Sequence, residues 1–256
     1  MTKLIECGGF SHPKNQGGVN QDSWLLPRKL GSGYIMAVAD GVGSYSGAEL
    51  ASRAVIRYLS EIKTQPSDGL IVSNIMRDCR EEISRISEAK PALKDAATTL
   101  TFCHLSDKGL SIGHVGDSRA YLRSNNKLIQ ITKDHTQHQN LFDQGIYTKR
   151  ELKNHSGENI LTSALSSRIE PNFEDIFIPH YALGDLTGVE IFLMSDGAHR
   201  FWTSRPQFSI STLASPTRFS SALKRRIDRS GATDDQTLVC GKFVLTSKDA
   251  IQDRLF

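Results

Sequence analysis

Three times in this chain an apolar, β-prone run ends on an aspartate followed by glycine or serine. The runs are Ile35-Met-Ala-Val-Ala-Asp40-Gly41, His114-Val-Gly-Asp117-Ser118 and Ile191-Phe-Leu-Met-Ser-Asp196-Gly197. A further acidic pair, Asp234-Asp235, opens the last apolar run, and Asn20-Gln21-Asp22 precedes another. A carboxylate at the end of a buried strand sits in low dielectric, where a lone charge is expensive. Asp-Gly is also ordinary turn chemistry, and any one of these sites could be no more than a turn. Taken together they ask for strand ends that converge, and hard divalent cations held through oxygen make such a convergence tolerable. Glycine beside the aspartate lets the chain turn sharply or lets a backbone carbonyl approach an ion.

Strand-like runs recur at 4–10, 34–39, 98–105, 110–115, 119–122, 190–194 and 237–245, and tight turns at Ser106-Asp-Lys-Gly109 and Ser124-Asn-Asn126 favour antiparallel pairing. Two segments carry a helical period instead. Ala51, Ala54, Val55, Tyr58, Leu59 and Ile62 form one stripe, with Ser46 and Glu49 as a capping box. Val72, Ile75, Met76, Cys79, Ile83 and Ile86 form the other, with Ser67-Asp68 as its cap. A shorter helix is expected over 219–227, and surface helices and loops over 135–173. Strands in runs with grouped helices give an α+β chain, two sheet layers covered by helices, in a single domain over residues 1–256.

Composition narrows the function classes. With 256 residues, 38% hydrophobic and 23% charged, the chain is an ordinary globular one, which excludes whole-chain disorder and coiled coil. A net charge of +3 does not describe a nucleic-acid-coating protein. The start reaches Glu6 before any apolar run develops, and no stretch approaches a membrane span, so a soluble cytoplasmic protein without membrane contact is expected. Cys7, Cys79, Cys103 and Cys240 are widely spaced among apolar neighbours and read as buried free thiols. His135 and His138 would share a face if their segment is helical, but with no third ligand in view they read as structural rather than zinc-binding. Lys224-Arg225-Arg226 reads as a solvated helix face.

The ordered series Asn20-Gln21-Asp22, Ala39-Asp40-Gly41-Val42-Gly43, Ala97-Thr98-Thr99, Val115-Gly116-Asp117-Ser118-Arg119, Thr132-Lys133-Asp134-His135, Ser195-Asp196-Gly197 and Asp234-Asp235-Gln236-Thr237 resembles the metal-dependent, type 2C serine/threonine protein phosphatases in their compact bacterial form. The resemblance implies a β-sandwich of two antiparallel sheets flanked by helix pairs, with a metal centre at one edge. It implies two Mn²⁺ or Mg²⁺ ions and a weaker third. Asp40 matches the carboxylate bridging two ions and Gly41 a backbone ligand of one; Asp196 and Asp234 match direct ligands of the other. Asp22 matches a residue acting through bound water, and Asp117 a ligand of the third ion, shared with Asp196. Catalysis would then run through water activated by Asp40 and Asp196 and their ions, attacking the phosphomonoester in line without a phosphoenzyme. The substrate would be a phosphoserine or phosphothreonine protein, the target of a partner kinase, and not a nucleic acid.

Three positions depart from the family pattern. Gln21 stands where an acid is usual. Gly17 stands where many members carry a phosphate-clamping arginine, leaving Lys14 as a looser substitute. Arg200 stands where an acid near the third ion is usual; it could weaken that ion, bind phosphate, or form a surface salt bridge. These departures leave two rivals in view: a pseudophosphatase that binds phosphoproteins on the same fold, and a two-metal phosphodiesterase, which would need a basic, aromatic-lined groove.

Overall fold

The computed structural model describes residues 2–43, 45–63, 70–152, 157, 160–184 and 188–245. Strand polarity alternates so cleanly in the central strands that each splits its side chains between two cores. In β3 (Gly33–Asp40), Ile35, Ala37 and Ala39 face a helix layer, while Met36 and Val38 face the second sheet. The first layer is α1 (Ala48–Glu61) and α2 (Val72–Ala89), whose stripes at Val55, Leu59, Met76, Cys79 and Ile83 are buried against that face.

The strands β1 (Thr2–His12), β12 (Gln236–Leu245), β11 (Val189–Met194), β7 (Arg119–Ser124) and β8 (Lys127–Gln130) form one five-stranded sheet in that order. The strands β10 (Glu174–Pro179), β6 (Gly109–Val115), β5 (Leu100–Leu105), β3 and β2 (Asp22–Leu30) form the other. All their pairings are antiparallel. Met36, Val38, Ile112, Ile191, Val239 and Phe243 fill the space between the sheets. Behind the first sheet, Phe192, Met194, Leu238 and Cys240 pack against α5 (Asp196–Thr203), α6 (Ile210–Leu213) and α7 (Pro216–Ser230). The result is an α–β–β–α sandwich, the expected class. A minor strand pair, β4 (Ala97–Thr98) with β9 (Leu165–Ser166), and the short helices α3 (Gln137–Asp143) and α4 (Lys149–Leu152) lie between.

Several local expectations change. The 98–105 run is two strands, because the chain breaks at Thr99 to reach the Asp40 turn. The Ser46–Glu49 capping box does not form: Gly47 is the N-cap of α1 in a left-handed conformation, φ 86°. The Ser67-Asp68 cap lies outside the described residues. His135 and His138 share no helix face, since Thr136 caps α3 from outside the helix. Cys79, Cys103 and Cys240 are buried free thiols, but Cys7 points to solvent from an edge strand. Among the described residues no helix is long and apolar enough to cross a membrane.

Candidate metal centre

The antiparallel register of β2 and β3 sets Asp22 directly opposite Asp40. Facing like charges across a ladder repel, so the pair calls for a cation. The Asp40 peptide is fixed at both ends. Its N–H donates to Thr99 Oγ1 at 3.0 Å, and its carbonyl accepts from Thr98 Oγ1 at 2.9 Å and from the Thr99 N–H at 2.8 Å. Thr99 Oγ1 also bonds Ser118 Oγ at 3.1 Å, tying the Asp40 turn to the Asp117 turn that ends β6. Behind Asp117, Arg119 grips Asp134 with a two-pronged ion pair at 2.7 and 2.5 Å.

Asp196 and Asp234 arrive from the other sheet. Met194 ends β11, Ser195 is the N-cap of α5, and Asp196 opens the helix, where the N-terminal dipole favours an anion. The Ser195 hydroxyl is diverted from the capping duty its position suggests. It accepts from the Thr237 N–H at 2.9 Å and donates to Asp22 Oδ2 at 2.8 Å, joining the two sheets at this edge. A Cβ at position 197 would stand 1.9 Å from the Asp235 carbonyl oxygen, so only glycine lets α5 lie against the Asp234-Asp235 turn. Gly41 is similarly confined, by the Ala48 backbone at 2.7 Å.

The five carboxylates Asp22, Asp40, Asp117, Asp196 and Asp234 therefore converge on one end of the sandwich. Burial, reinforced by Asp196 and Asp235, pushes Asp22 up to about 7. Burial pushes Asp40 well above the carboxylate range, with Asp22, Asp196, Asp117 and Asp234 adding to the rise. Asp117 is raised to about 7 by burial and by Asp196, against a pull from Arg200. Asp196 is raised by burial, opposed by Arg200. Asp22 Oδ1 is buried with no hydrogen-bond partner. All-oxygen donors, mutual repulsion and an orphaned carboxylate oxygen fit hard divalent ions. Among the described residues, no three of these carboxylates bring oxygens within 4.8 Å of one another, so each ion would take one or two of them and complete its shell with water, as Mg²⁺ prefers.

The trio that is that close, His114, His135 and Glu174, is a poor metal site. His114 Nε2 donates to the Lys133 carbonyl at 2.8 Å and Nδ1 meets Thr101 Oγ1 at 2.8 Å, so neither nitrogen is available. His135 Nδ1 accepts the Gly116 N–H at 3.2 Å.

The family model for protein phosphatase 2C matches residues 9–240. The chain belongs to the protein phosphatase 2C family. Relatives within it include the serine/threonine protein phosphatase PstP of Mycobacterium tuberculosis, 34% identical over 156 residues, 59% of this chain. That alignment spans only 29% of the PstP length. The serine/threonine phosphatase stp of Listeria welshimeri is 31% identical over 194 residues, 73% of this chain and 72% of its own. The crystal structure of the catalytic domain of a serine/threonine protein phosphatase PstP in complex with two manganese ions superposes with a TM-score of 0.72 at 26% identity, covering 95% of this chain and all of that one.

Within this protein phosphatase 2C chain the other site candidates are placed unevenly. Lys14 is exposed and meets the cluster only through its backbone: its N–H donates to Asp235 Oδ1 at 2.7 Å. The Gln21 N–H donates to Asp235 Oδ2 at 2.7 Å, so Asp235 clamps the whole β1–β2 loop. Arg200 Nη2 donates to Asp196 Oδ2 at 2.7 Å. Ser195 and Asp235 are the positioning residues that sequence reasoning assigned no role. Beside the cluster a groove of about 830 Å³ runs from Val42 and Tyr45 past Lys94 to Ile160, Arg168 and Ile169.

Proposed function

We propose that this chain hydrolyses phosphoserine and phosphothreonine monoesters in proteins at a centre of two divalent ions, Mn²⁺ or Mg²⁺. Asp40 and Gly41 would hold one ion, Asp196 and Asp234 the other, and Asp22 would orient coordinated water. The observation that carries this reading is the convergence of five carboxylates at the sandwich edge, Asp22 buried with an unpartnered oxygen, Asp40, Asp117 and Asp196 half-buried, and Asp234 at the exposed rim. The names of the relatives and the two-manganese PstP structure support it.

When bound, two such ions supply Lewis-acid activation of water and neutralise charge on the phosphoryl oxygens. The chain's residues do the rest by placement. Thr98 and Thr99 fix the Asp40 peptide, and Ser195 keeps Asp22 turned toward the cluster. The groove from Val42 to Ile169 offers room for the polypeptide flanking the phosphorylated residue. Lys14 would meet the phosphate as a point charge on a flexible stem. Burial pushes the thiols of Cys79, Cys103 and Cys240 up, so none of them supplies a thiolate, consistent with direct attack by water. The reaction would reverse a protein kinase, which is the partner class this reading implies.

The test is hydrolysis of para-nitrophenyl phosphate and of a phosphothreonine peptide with Mn²⁺, with Mg²⁺ and with chelator, beside Asp40→Asn and Asp196→Asn. Turnover is expected only with metal, and each variant should lose at least ~100-fold. A folded wild-type protein without turnover in either metal would overturn the enzymatic reading and leave a phosphoprotein-binding scaffold.

A further inference from the structure

One carboxylate of the cluster has a cation supplied by the chain itself. Asp196 Oδ2 accepts from Arg200 Nη2 at 2.7 Å, one turn along α5. The Arg200 side chain retains 32% of its exposure and that of Asp196 13%, so the pair lies at the mouth of the cluster and not beneath it. The preceding residue, His199, donates from Nε2 to the Asp117 carbonyl at 3.0 Å, so this turn of α5 lies against both the Asp196 and the Asp117 ends of the cluster. Position 200 cannot swing far, because α5 is held by Gly197 against the Asp235 carbonyl and by Trp202 in the core.

We propose that Arg200 is the resident counter-cation of the Asp117–Asp196 limb and that it closes the centre at two divalent ions by occupying the ground a third would need. This rests on the metal-centre reading above. The charge balance favours it. Asp22, Asp40, Asp117, Asp196 and Asp234, fully ionised, carry five negative charges; Arg200 leaves four, which two divalent ions cancel, whereas without it one negative charge stays uncompensated after two ions are bound. Asp235 stands outside this count, since its two oxygens accept the Lys14 and Gln21 amides. A third ion on Asp117 and Asp196 would have to displace the guanidinium from Asp196 Oδ2 or sit against its fixed positive charge. Neither is favourable when the two positive charges would lie only a few ångströms apart. An arginine cannot relieve that conflict by losing its proton.

The experiment is the Mn²⁺ content of chelator-stripped protein at saturation, by equilibrium dialysis with electron paramagnetic resonance of the free ion, for wild type, Arg200→Gln and Arg200→Lys. The metal-free melting temperature at pH 8 is measured alongside. Wild type should saturate at two ions, Arg200→Lys at two and Arg200→Gln at three. Metal-free Arg200→Gln should melt below wild type, with Arg200→Lys restoring most of the difference. Three ions on the wild type would overturn the inference without any variant and leave the metal centre standing. Equal saturation of wild type and Arg200→Gln would also overturn it. Wild type that takes up no ion would sink the metal centre itself, and the inference with it.

Discussion

Gly197 is where α5 lies against the turn entering β12 beside the carboxylate cluster, and it carries a sharp test. A methyl group there would stand 1.9 Å from the Asp235 carbonyl oxygen and 3.2 Å from Asp234 Cβ, both on the turn entering β12. Gly197→Ala must therefore push α5 away from that turn and separate Asp196 from Asp234. Overpacking of this kind costs about 1–3 kcal/mol. We expect a lower urea midpoint together with weaker Mn²⁺ binding; a variant that loses stability yet binds Mn²⁺ as wild type does would show that the close approach is not what sets the site. At this scale the sequence was half legible. An aspartate followed by glycine or serine after an apolar run marked Asp40, Asp117 and Asp196. What it could not mark were the partners: Ser195 meets Asp22, and Asp235 meets Lys14 and Gln21, across the whole length of the chain. A serine before an aspartate reads as a helix cap, and only the folded geometry diverts its hydroxyl to another sheet.

Among the elements, periodicity was legible wherever one face is buried. The α1 and α2 stripes and the central strands follow it closely, because each such side chain has a neighbouring layer to pack against. The edge strand β1 was legible at 4–10, but the edge strands β8 and β10 were not. In β8 only Leu128 is even half-buried, and β10 alternates between half-buried and exposed positions, so neither shows a strong apolar run. The helix α5 was missed because its start, Ser-Asp-Gly, looks like a turn ending a strand. The brace that holds β7 to the loop before α3 was also beyond pattern reading. Arg119 and Asp134 are both largely buried, and the fork donates at 2.7 and 2.5 Å. Arg119→Met would fill similar volume but leave Asp134 buried without its partner, a loss of about 3–5 kcal/mol. Denaturant unfolding should show it, and a double variant Arg119→Met/Asp134→Leu should recover much of the loss. If the double variant is no better than the single, the pair is not what stabilises this junction.

Taken as a whole, the molecule holds two sets of buried titratable groups that pull its stability in opposite directions with pH. Burial raises Asp22 and Asp117 to about 7 and Asp40 well above the usual carboxylate range, so without metal the folded state keeps protons that the unfolded chain releases above about 4. These groups therefore cost stability as pH rises through the range from about 4 to 7 and beyond. Burial holds His104, His114, His135 and His199 below the ordinary histidine value, His114 at about 3. Those four remain neutral when folded and take protons when unfolded, so their contribution is present above about 6.5 and is lost as pH falls. A plain melting curve against pH would mix the two. Metal-free Asp40→Asn separates them, because the histidines are common to both proteins and cancel in the difference. At pH 8 the variant should be more stable than metal-free wild type, by on the order of a few kcal/mol. The gap should shrink as the pH is lowered toward 5, where the wild-type carboxyl holds its proton. Added Mn²⁺ should reverse the order at pH 8, stabilising wild type far more than the variant. A gap that is constant with pH, or an Asp40→Asn protein less stable than metal-free wild type at pH 8, would mean that neither burial nor the neighbouring carboxylates penalise the Asp40 charge in the folded chain, and the physical case for a cation at this edge would fail.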